Sequence, residues 1–333
     1  MMKINYLTPL ILLLLVFSCS DREVACELSE EILQIPIDVD IQRMETQLFE
    51  TTSVKDLSWI LDNNPEFASQ YLQEDLYKSK EEMIKELVLV NQDTSLQELK
   101  GEATQHFKDI QELESELENA FKYIKYYFPE FKVPKVYTYV SGFNSDLFIS
   151  EDIIVIGLDY FLPADHRFQP PDLPQYINRR YQKEYIVPTI LVALSSEFNE
   201  TSLEDQTLLA DMIYYGKAYH FVKTMMPCTS DEYIIGYTPE EIQASYSNEE
   251  LIWSHFIENE LLFITNPFEI RKYTGEAPFT DAISMEAPGR LGRWIGWNIV
   301  DEYRFNNSLS INELMAEKNA DLIFRQSEYR PSQ

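Results

Sequence analysis

Apolar residues recur at helical spacing over much of the chain. Between residues 94 and 128 they return every three or four positions, which predicts one long amphipathic helix that ends at Pro129. Residues 185–198 and 203–226 are apolar nearly all round, and this predicts two buried helices near the centre of the fold. The pattern therefore predicts a mainly helical protein.

Two short segments have the β-branched and aromatic composition of strands. They cover residues 135–140 and 152–157, and a turn sequence at 141–144 separates them. We expect two or three strands in this region, paired antiparallel. Alternating apolar and acidic residues at 36–41 predict a further half-exposed strand. The expected fold class is α+β, mostly helical, with a small antiparallel sheet.

The first nineteen residues have the plan of a bacterial lipoprotein signal. Lys3 supplies a positive charge, and the apolar run at 7–17 is much shorter than the roughly 20 residues that span a bilayer. The ending Val-Phe-Ser-Cys19 resembles a lipobox. We therefore expect a signal peptide at 1–18 and Cys19 as the lipidated first residue of the mature chain. An uncleaved anchor and an ordinary export signal are the alternatives.

The domain boundary is placed where the charged residues end and periodic apolar residues begin. Residues 19–35 are rich in charge, and we expect them to form a lipid-attached tether. A single domain is expected over 36–333, with a helical part at 36–130 and a part built from sheet and helices at 131–333.

Charge and cysteine content limit the partners of the chain. It has 56 acidic and 27 basic residues, a formal net charge of −29. Such a chain repels phosphate backbones and anionic headgroups, so we expect no nucleic-acid partner and a membrane attachment that relies on the lipid. Of the three cysteines, Cys19 is assigned to the lipid, and an unpaired Cys228 is expected. A Cys26–Cys228 disulfide is the alternative.

The order of helix, strand, loop and two buried helices is that of a zincin metallopeptidase. Such enzymes carry H-E-x-x-H on the first buried helix, where the two histidines bind zinc and the glutamate activates water. None of the four histidines, His106, His166, His220 and His255, lies in the predicted helix at 185–198. We therefore expect no catalytic residues, no metal ligands and no cofactor.

The most distinctive motif is the glycine- and arginine-containing segment at 288–297. Gly292 and Gly296 lie four residues apart on one helix face and permit close approach of another helix. The motif also contains two arginines and two tryptophans, Arg290, Arg293, Trp294 and Trp297. Two interpretations are open. One is a tightly packed helix pair with arginine–carboxylate pairing, and the other is recognition of an anion or a carboxyl terminus by the two arginines.

Several motifs, taken in their order and spacing, carry a family resemblance. Beside the lipobox they are Val155-Ile-Gly-Leu-Asp-Tyr-Phe-Leu162, Tyr214-Tyr-Gly-Lys-Ala218, the 288–297 segment and Ser327-Glu-Tyr-Arg-Pro331. Over most of the mature chain they resemble the gliding-motility lipoprotein family GldB of Bacteroidetes. That family is itself similar to zinc-dependent peptidases, and Tyr215 stands where those enzymes have a glutamate. The resemblance implies a zincin-like scaffold without its metal. It indicates the cellular process in which the protein takes part, gliding motility, but no chemical reaction.

The expected function is that of a non-catalytic lipoprotein of the cell envelope. It would support gliding motility or the associated secretion machinery by binding envelope proteins, on the periplasmic side of a membrane or at the cell surface. The docking groove is expected beside the strand at 152–157, whose edge would accept an extended peptide. The residues expected to bind are Tyr215, Arg290, Arg293, Trp294 and Trp297.

Two other functions stay open. One is a zinc-dependent peptidase with unorthodox ligands, His220 and His255 among them. The other is a peptide- or glycan-binding lipoprotein in which the tyrosine pairs at 126–127 and 214–215 form sugar platforms.

Overall fold

The computed structural model describes residues 26–331. Within that range the helices are α1 (Glu30–Leu33), α2 (Met44–Phe49), α3 (Val54–Asp62), α4 (Lys80–Asn91), α5 (Thr94–His106), α6 (Gln111–Tyr127), α7 (Gln175–Asn178), α8 (Ile186–Leu194), α9 (Leu208–Met225), α10 (Asp231–Ile235), α11 (Pro239–Ser247), α12 (Glu249–Glu258), α13 (Pro267–Thr274), α14 (Leu291–Asn307), α15 (Ile311–Ala316) and α16 (Ala320–Ser327). The strands are β1 (Gln42–Arg43), β2 (Lys135–Tyr139), β3 (Leu147–Ile149) and β4 (Ile153–Gly157). The predicted α+β class is confirmed.

The four strands form one mixed sheet in the order β1-β2-β4-β3. β2 pairs in parallel with β1 and β4, whereas β3 pairs antiparallel with β4. The predicted antiparallel pairing of the two longer strands is therefore wrong. The chain reverses once before β3 and again after it, so that β4 regains the direction of β2. The strand predicted at 36–41 is also absent from the described chain, where pairing begins only at Gln42.

Helices cover both faces of the sheet. Alternate residues of the two central strands, such as Val136 and Ile154, pack into a core that also contains apolar residues of α6, α8, α9 and α14. Their neighbours, such as Tyr137 and Val155, pack against α2, α3 and α4. Burial on both faces explains why β4 is a continuous apolar run rather than an alternating one.

The close helix pair predicted from the 288–297 motif is confirmed. α9 and α14 cross where a Cβ on Gly296 would lie 1.9 Å from the carbonyl oxygen of Met212. A Cβ on Gly216 would lie 2.3 Å from the carbonyl oxygen of Gly296. Only glycine allows the two backbones this approach, because each absent Cβ would meet main-chain atoms.

The single long helix predicted at 94–128 is two helices. α5 ends at His106 and α6 begins at Gln111. The side chain of Asp109 accepts a hydrogen bond from the backbone N–H of Gln111 at 3.0 Å, so that it satisfies a donor at the start of the second helix. Apolar residues continue at helical spacing through the break, and the pattern alone therefore did not reveal it.

The amino-terminal end of the described chain is fixed to the domain. Cys26 and Cys228 form a disulfide across a sequence separation of 202 residues, so the expectation of an unpaired Cys228 is wrong. Ile32 of α1 is buried, and the backbone N–H of Ser29 donates to the Tyr123 hydroxyl at 2.8 Å. The last ten residues of the predicted tether therefore pack on the domain.

The predicted signal peptide and Cys19 lie outside the described residues. Within 26–331, none of the helices has both the length and the apolar character needed to cross a bilayer.

Candidate functional site

Two cavities share Arg293 as a lining residue. The larger, which we call the α9 cleft, has a volume of about 650 Å³. It lies among the loop at 200–207, the first turns of α9, the helix α13 and residues 317–320. The smaller, which we call the arginine pocket, has a volume of about 230 Å³ and contains Arg180, Arg290, Arg293 and Glu276.

Tyr215 and Arg293 form a stacked pair in the wall of the α9 cleft. The guanidinium carbon of Arg293 lies 3.8 Å from the centroid of the Tyr215 ring, a cation–π arrangement. The Nε–H of Arg293 also donates to the carbonyl oxygen of Thr274, which fixes the plane of the guanidinium. Burial raises the pKa of the Tyr215 hydroxyl, while the nearby arginine charge opposes that rise. The tyrosine is therefore neutral at physiological pH.

Lys217 ties together the segments that border the α9 cleft. Its ammonium group is buried and donates to the carbonyl oxygens of Glu200, Met315 and Glu317 at 2.8, 2.9 and 2.8 Å. These three bonds use all the donors of the ammonium group. Burial lowers the pKa of Lys217 to about 8. The lysine thus holds the loop before α9 and the end of α15 in fixed positions.

Three arginines surround one carboxylate in the arginine pocket. Nη2 of Arg180 lies 2.8 Å from Oε2 of Glu276, and Nη1 of Arg293 and of Arg290 lie 3.4 and 3.7 Å from its Oε1. Partial burial acts to raise the pKa of Glu276, but the positive charges of the arginines outweigh it and the pKa is lowered. Glu276 is therefore ionised at neutral pH, and the pocket residues carry an excess of two positive charges.

Arg290 is positioned by its own backbone conformation and by contacts with Gly236 and Tyr237. It precedes the first turn of α14 with a φ of 66°, in the left-handed region. Its Nη2 donates to the carbonyl oxygen of Gly236 at 3.3 Å, and its guanidinium lies 5.6 Å from the centroid of the Tyr237 ring. The start of α14 thus directs Arg290 and Arg293 into the same pocket.

A sequence comparison decides the family of the chain. The sequence matches the family described as gliding motility protein GldB over residues 25–331. The chain belongs to the GldB family. This membership indicates a role in gliding motility, and the lipoprotein designation of the family indicates the cell envelope. No curated protein and no solved structure matches the chain.

The site residues predicted from the sequence fall into two groups. Tyr215, Arg290 and Arg293 line the two cavities. Trp294 and Trp297 instead lie in the core, 1% and 4% exposed, where they pack against aromatic rings of neighbouring helices. The tryptophans therefore shape α14 rather than the cavity surface.

Two members of the arginine pocket were not predicted. Arg180 and Glu276 are separated by 96 residues, and each lies in a loop without a recognisable motif. The one available signal was the Arg179-Arg180 pair in a chain with few basic residues. Arg179 pairs with Glu241 at 2.6 Å, which leaves Arg180 to face the pocket.

The histidines of the zinc-peptidase alternative lie in separate environments. His220 pairs with Asp301, and its Nε2 lies 2.8 Å from Nη1 of Arg304. His255 lies beside Tyr273, with 3.4 Å between its Nε2 and the hydroxyl. Among residues 26–331, no group of three or more His, Cys, Asp or Glu side chains has the arrangement needed to hold a metal ion.

The peptide-docking edge predicted on the strand at 152–157 is wrong. β4 lies inside the sheet, with β2 on one side and β3 on the other, and all five of its residues are buried. Its backbone groups are already paired along both edges, so it has none to offer an added strand. Away from this edge lie the α9 cleft, with a volume of about 650 Å³, and a cavity of about 670 Å³ lined by Phe128 and Phe198.

The two tyrosine pairs of the glycan-binding alternative differ in their settings. Tyr214 and Tyr215 meet edge to face at 5.3 Å in the α9 cleft, but Arg293 covers one of the rings. Tyr126 and Tyr127 meet edge to face at 5.0 Å, and Tyr126 is 43% exposed. Neither pair presents two parallel open ring faces.

Proposed function

We propose that this GldB-family protein is a non-catalytic lipoprotein of the cell envelope that supports gliding motility, or the secretion machinery associated with it, by binding a partner protein in the α9 cleft. The observation that carries the proposal is the stacking of Arg293 on Tyr215 in the wall of that cleft. It places a fixed cation and a neutral aromatic ring where the peptidase resemblance implies a metal-binding carboxylate.

This pair favours binding over metal-dependent hydrolysis. A zinc ligand must present a lone pair and preferably a negative charge, and a guanidinium beside the position repels a divalent cation. Aromatic and arginine side chains are at the same time the types most enriched where protein partners bind tightly. Tyr214 and Arg271 add a second aromatic ring and another cation to the same lining.

The disulfide supports a membrane-proximal location for the domain. Cys26 follows the proposed lipidation residue Cys19 by seven positions. A chain of this length spans at most about 25 Å, since each residue contributes roughly 3.3–3.6 Å when fully extended. Because Cys26 is joined to Cys228, lipidation at Cys19 would hold this side of the domain close to the bilayer.

Complementation of a deletion strain tests the proposal. We expect the deletion to abolish gliding, wild type to restore it, and Cys19→Ala to fail because the anchor is lost. Ala210→Arg, which fills the cleft from α9, is expected to fail as well, whereas Ala244→Arg on the exposed side of α11 is its matched control and is expected to glide. Protein levels and thermal unfolding are compared for each variant. Intact gliding without the gene would refute the proposal.

A further inference from the structure

The arginine pocket concentrates positive charge in a strongly acidic chain. The side chains of Arg180, Arg290 and Arg293 are 18%, 7% and 11% exposed, and the carboxylate of Glu276 is their shared partner in the pocket. A chain with a net charge of −29 has many carboxylates to offer, yet the pocket keeps an excess of two positive charges. Desolvated charge without a counter-charge is costly. The arrangement is therefore suited to a ligand that brings a negative charge.

The guanidinium groups are held in place before any ligand arrives. Arg290 donates to the carbonyl oxygen of Gly236, and Arg293 donates to that of Thr274. Arg180 packs against Gly236, where a Cβ would lie 2.5 Å from its Cδ. Groups fixed in this way lose little conformational entropy on binding, and planar guanidinium groups match the two oxygens of a carboxylate.

The remaining walls of the pocket are aromatic and aliphatic. Its lining residues of this kind include Phe161, Tyr181, Tyr185, Tyr219, Tyr233 and Ile234. A hydrated ion such as free phosphate has no apolar surface to bury against these walls, so they add no favourable binding free energy. An anion that carries an apolar group buries that group against them and binds more tightly. The volume of about 230 Å³ is below the range typical of pockets for drug-sized ligands, so the apolar group must be compact.

We propose that the arginine pocket binds the free carboxyl terminus of a partner polypeptide whose last residue has an apolar side chain. The terminal carboxylate lies against the three arginines, and the last side chain lies against the aromatic walls. This inference rests on the proposed partner-binding function and names the chemistry of the partner. A long-chain fatty acid would carry the same charge but exceeds the volume of the pocket.

Fluorescence anisotropy with defined peptides tests the inference. The probes are fluorescein-Gly-Ser-Gly-Ser-X, with Leu, Val or Phe at X, each as the free acid and as the C-terminal amide. They are titrated with the mature lipidated protein in detergent. We expect at least one acid to bind and its amide to bind at least tenfold more weakly. Equal binding of acid and amide, or no binding of any acid, would overturn the inference.

Two variants test whether the peptide acid binds in the arginine pocket and whether a loss of binding reflects a loss of structure. Arg180→Gln is expected to weaken binding of the acid at least tenfold while the protein still unfolds cooperatively, because Glu276 keeps Arg290 and Arg293 as partners. The matched control is Arg167→Gln, an exposed arginine that pairs with Glu98 and Glu102, and it is expected to bind as wild type does. Equal weakening by both variants would show a general charge effect and overturn the inference.

Competition distinguishes a polypeptide terminus from a small acid. Acetyl-leucine carries the same carboxylate and side chain but lacks the preceding peptide, and we expect it to compete at least tenfold more weakly than the peptide acid. Equal competition would make the occupant a free small carboxylate and overturn the assignment.

Failure of this inference is distinguishable from failure of the proposed function. A strain with Arg180→Gln that glides normally, while Ala210→Arg abolishes gliding, would overturn the pocket assignment and leave the partner-binding function in place.

Discussion

The carbonyl oxygen of Gly296 lies 2.3 Å from the position that a Cβ on Gly216 would occupy. The nearest atoms that this Cβ would meet all belong to the backbone of Gly296 and Trp297, so no flexible side chain can move aside. We predict that Gly216→Ala lowers the free energy of unfolding by about 1–3 kcal/mol or more, the range seen when a packed core is overfilled. Urea denaturation followed by circular dichroism measures the change.

Gly101→Ala is the matched control for that substitution. Gly101 lies in α5, and a Cβ there would meet no atom within 4 Å. Alanine at this position is expected to raise the free energy of unfolding by about 0.5–1 kcal/mol, because glycine is the poorer helix former. Equal destabilisation by both variants would contradict the close-approach explanation.

The Cys26–Cys228 disulfide is predicted to stabilise the domain. Its loop spans 202 residues, and removing such a cross-link frees the unfolded chain. The double variant Cys26→Ser/Cys228→Ser is expected to lose about 2–5 kcal/mol of unfolding free energy. Reduction with dithiothreitol should destabilise wild type to the same extent and leave the variant unchanged. An unchanged wild type after complete reduction, verified by thiol titration, would show that the bond contributes nothing.

Lys217 is predicted to make stability rise with pH in the alkaline range. Its pKa is lowered to about 8 in the fold, against 10.5 as the ordinary value. Between these values the unfolded chain binds the proton and the folded chain does not, so unfolding free energy increases with pH. The expected gain between pH 8 and pH 10 is about 2 kcal/mol, from about 1.4 kcal/mol per pKa unit.

The variant Lys217→Met isolates this effect. It leaves three carbonyl oxygens without a donor and is expected to be less stable than wild type at every pH. The difference in unfolding free energy between wild type and variant should widen from pH 8 to pH 10. A constant difference would show that the lysine keeps its proton in the fold throughout this range.

Metal analysis tests the non-catalytic part of the proposal. We predict that the purified protein, dialysed against zinc and then against buffer, retains zinc well below one ion per chain. His220 already pairs with Asp301 and Arg304, and His255 lies beside Tyr273. Stoichiometric zinc that disappears in His220→Ala but not in His106→Ala would favour the peptidase alternative instead.

Local patterns predicted the helices that form the site. α8 and α9 follow from dense apolar residues, and α14 follows from glycine spacing. These features depend on neighbours within a few turns of helix. For the same reason Arg290 and Arg293 were recognised together, since one helix start carries both.

Features that join distant parts of the chain were missed. The parallel pairing of β2 with β4 depends on β3, and this strand has only three residues (Leu147–Ile149), too few to show a periodic pattern. Arg180 and Glu276 meet across 96 residues, and the two cysteines meet across 202. Such contacts depend on how the helices pack on the sheet, and the periodicity of a local segment carries no information about them.

Photo-crosslinking in living cells tests partner binding in the α9 cleft most directly. A photoreactive amino acid replaces Leu203, which is 88% exposed in the lining of the cleft, or Leu76, which is 78% exposed on the amino-terminal helical part. We predict a discrete crosslinked partner from position 203, absent from position 76 and lost when Ala210→Arg fills the cleft. The same crosslinks from both positions, or a position-203 crosslink that persists with the cleft filled, would contradict it.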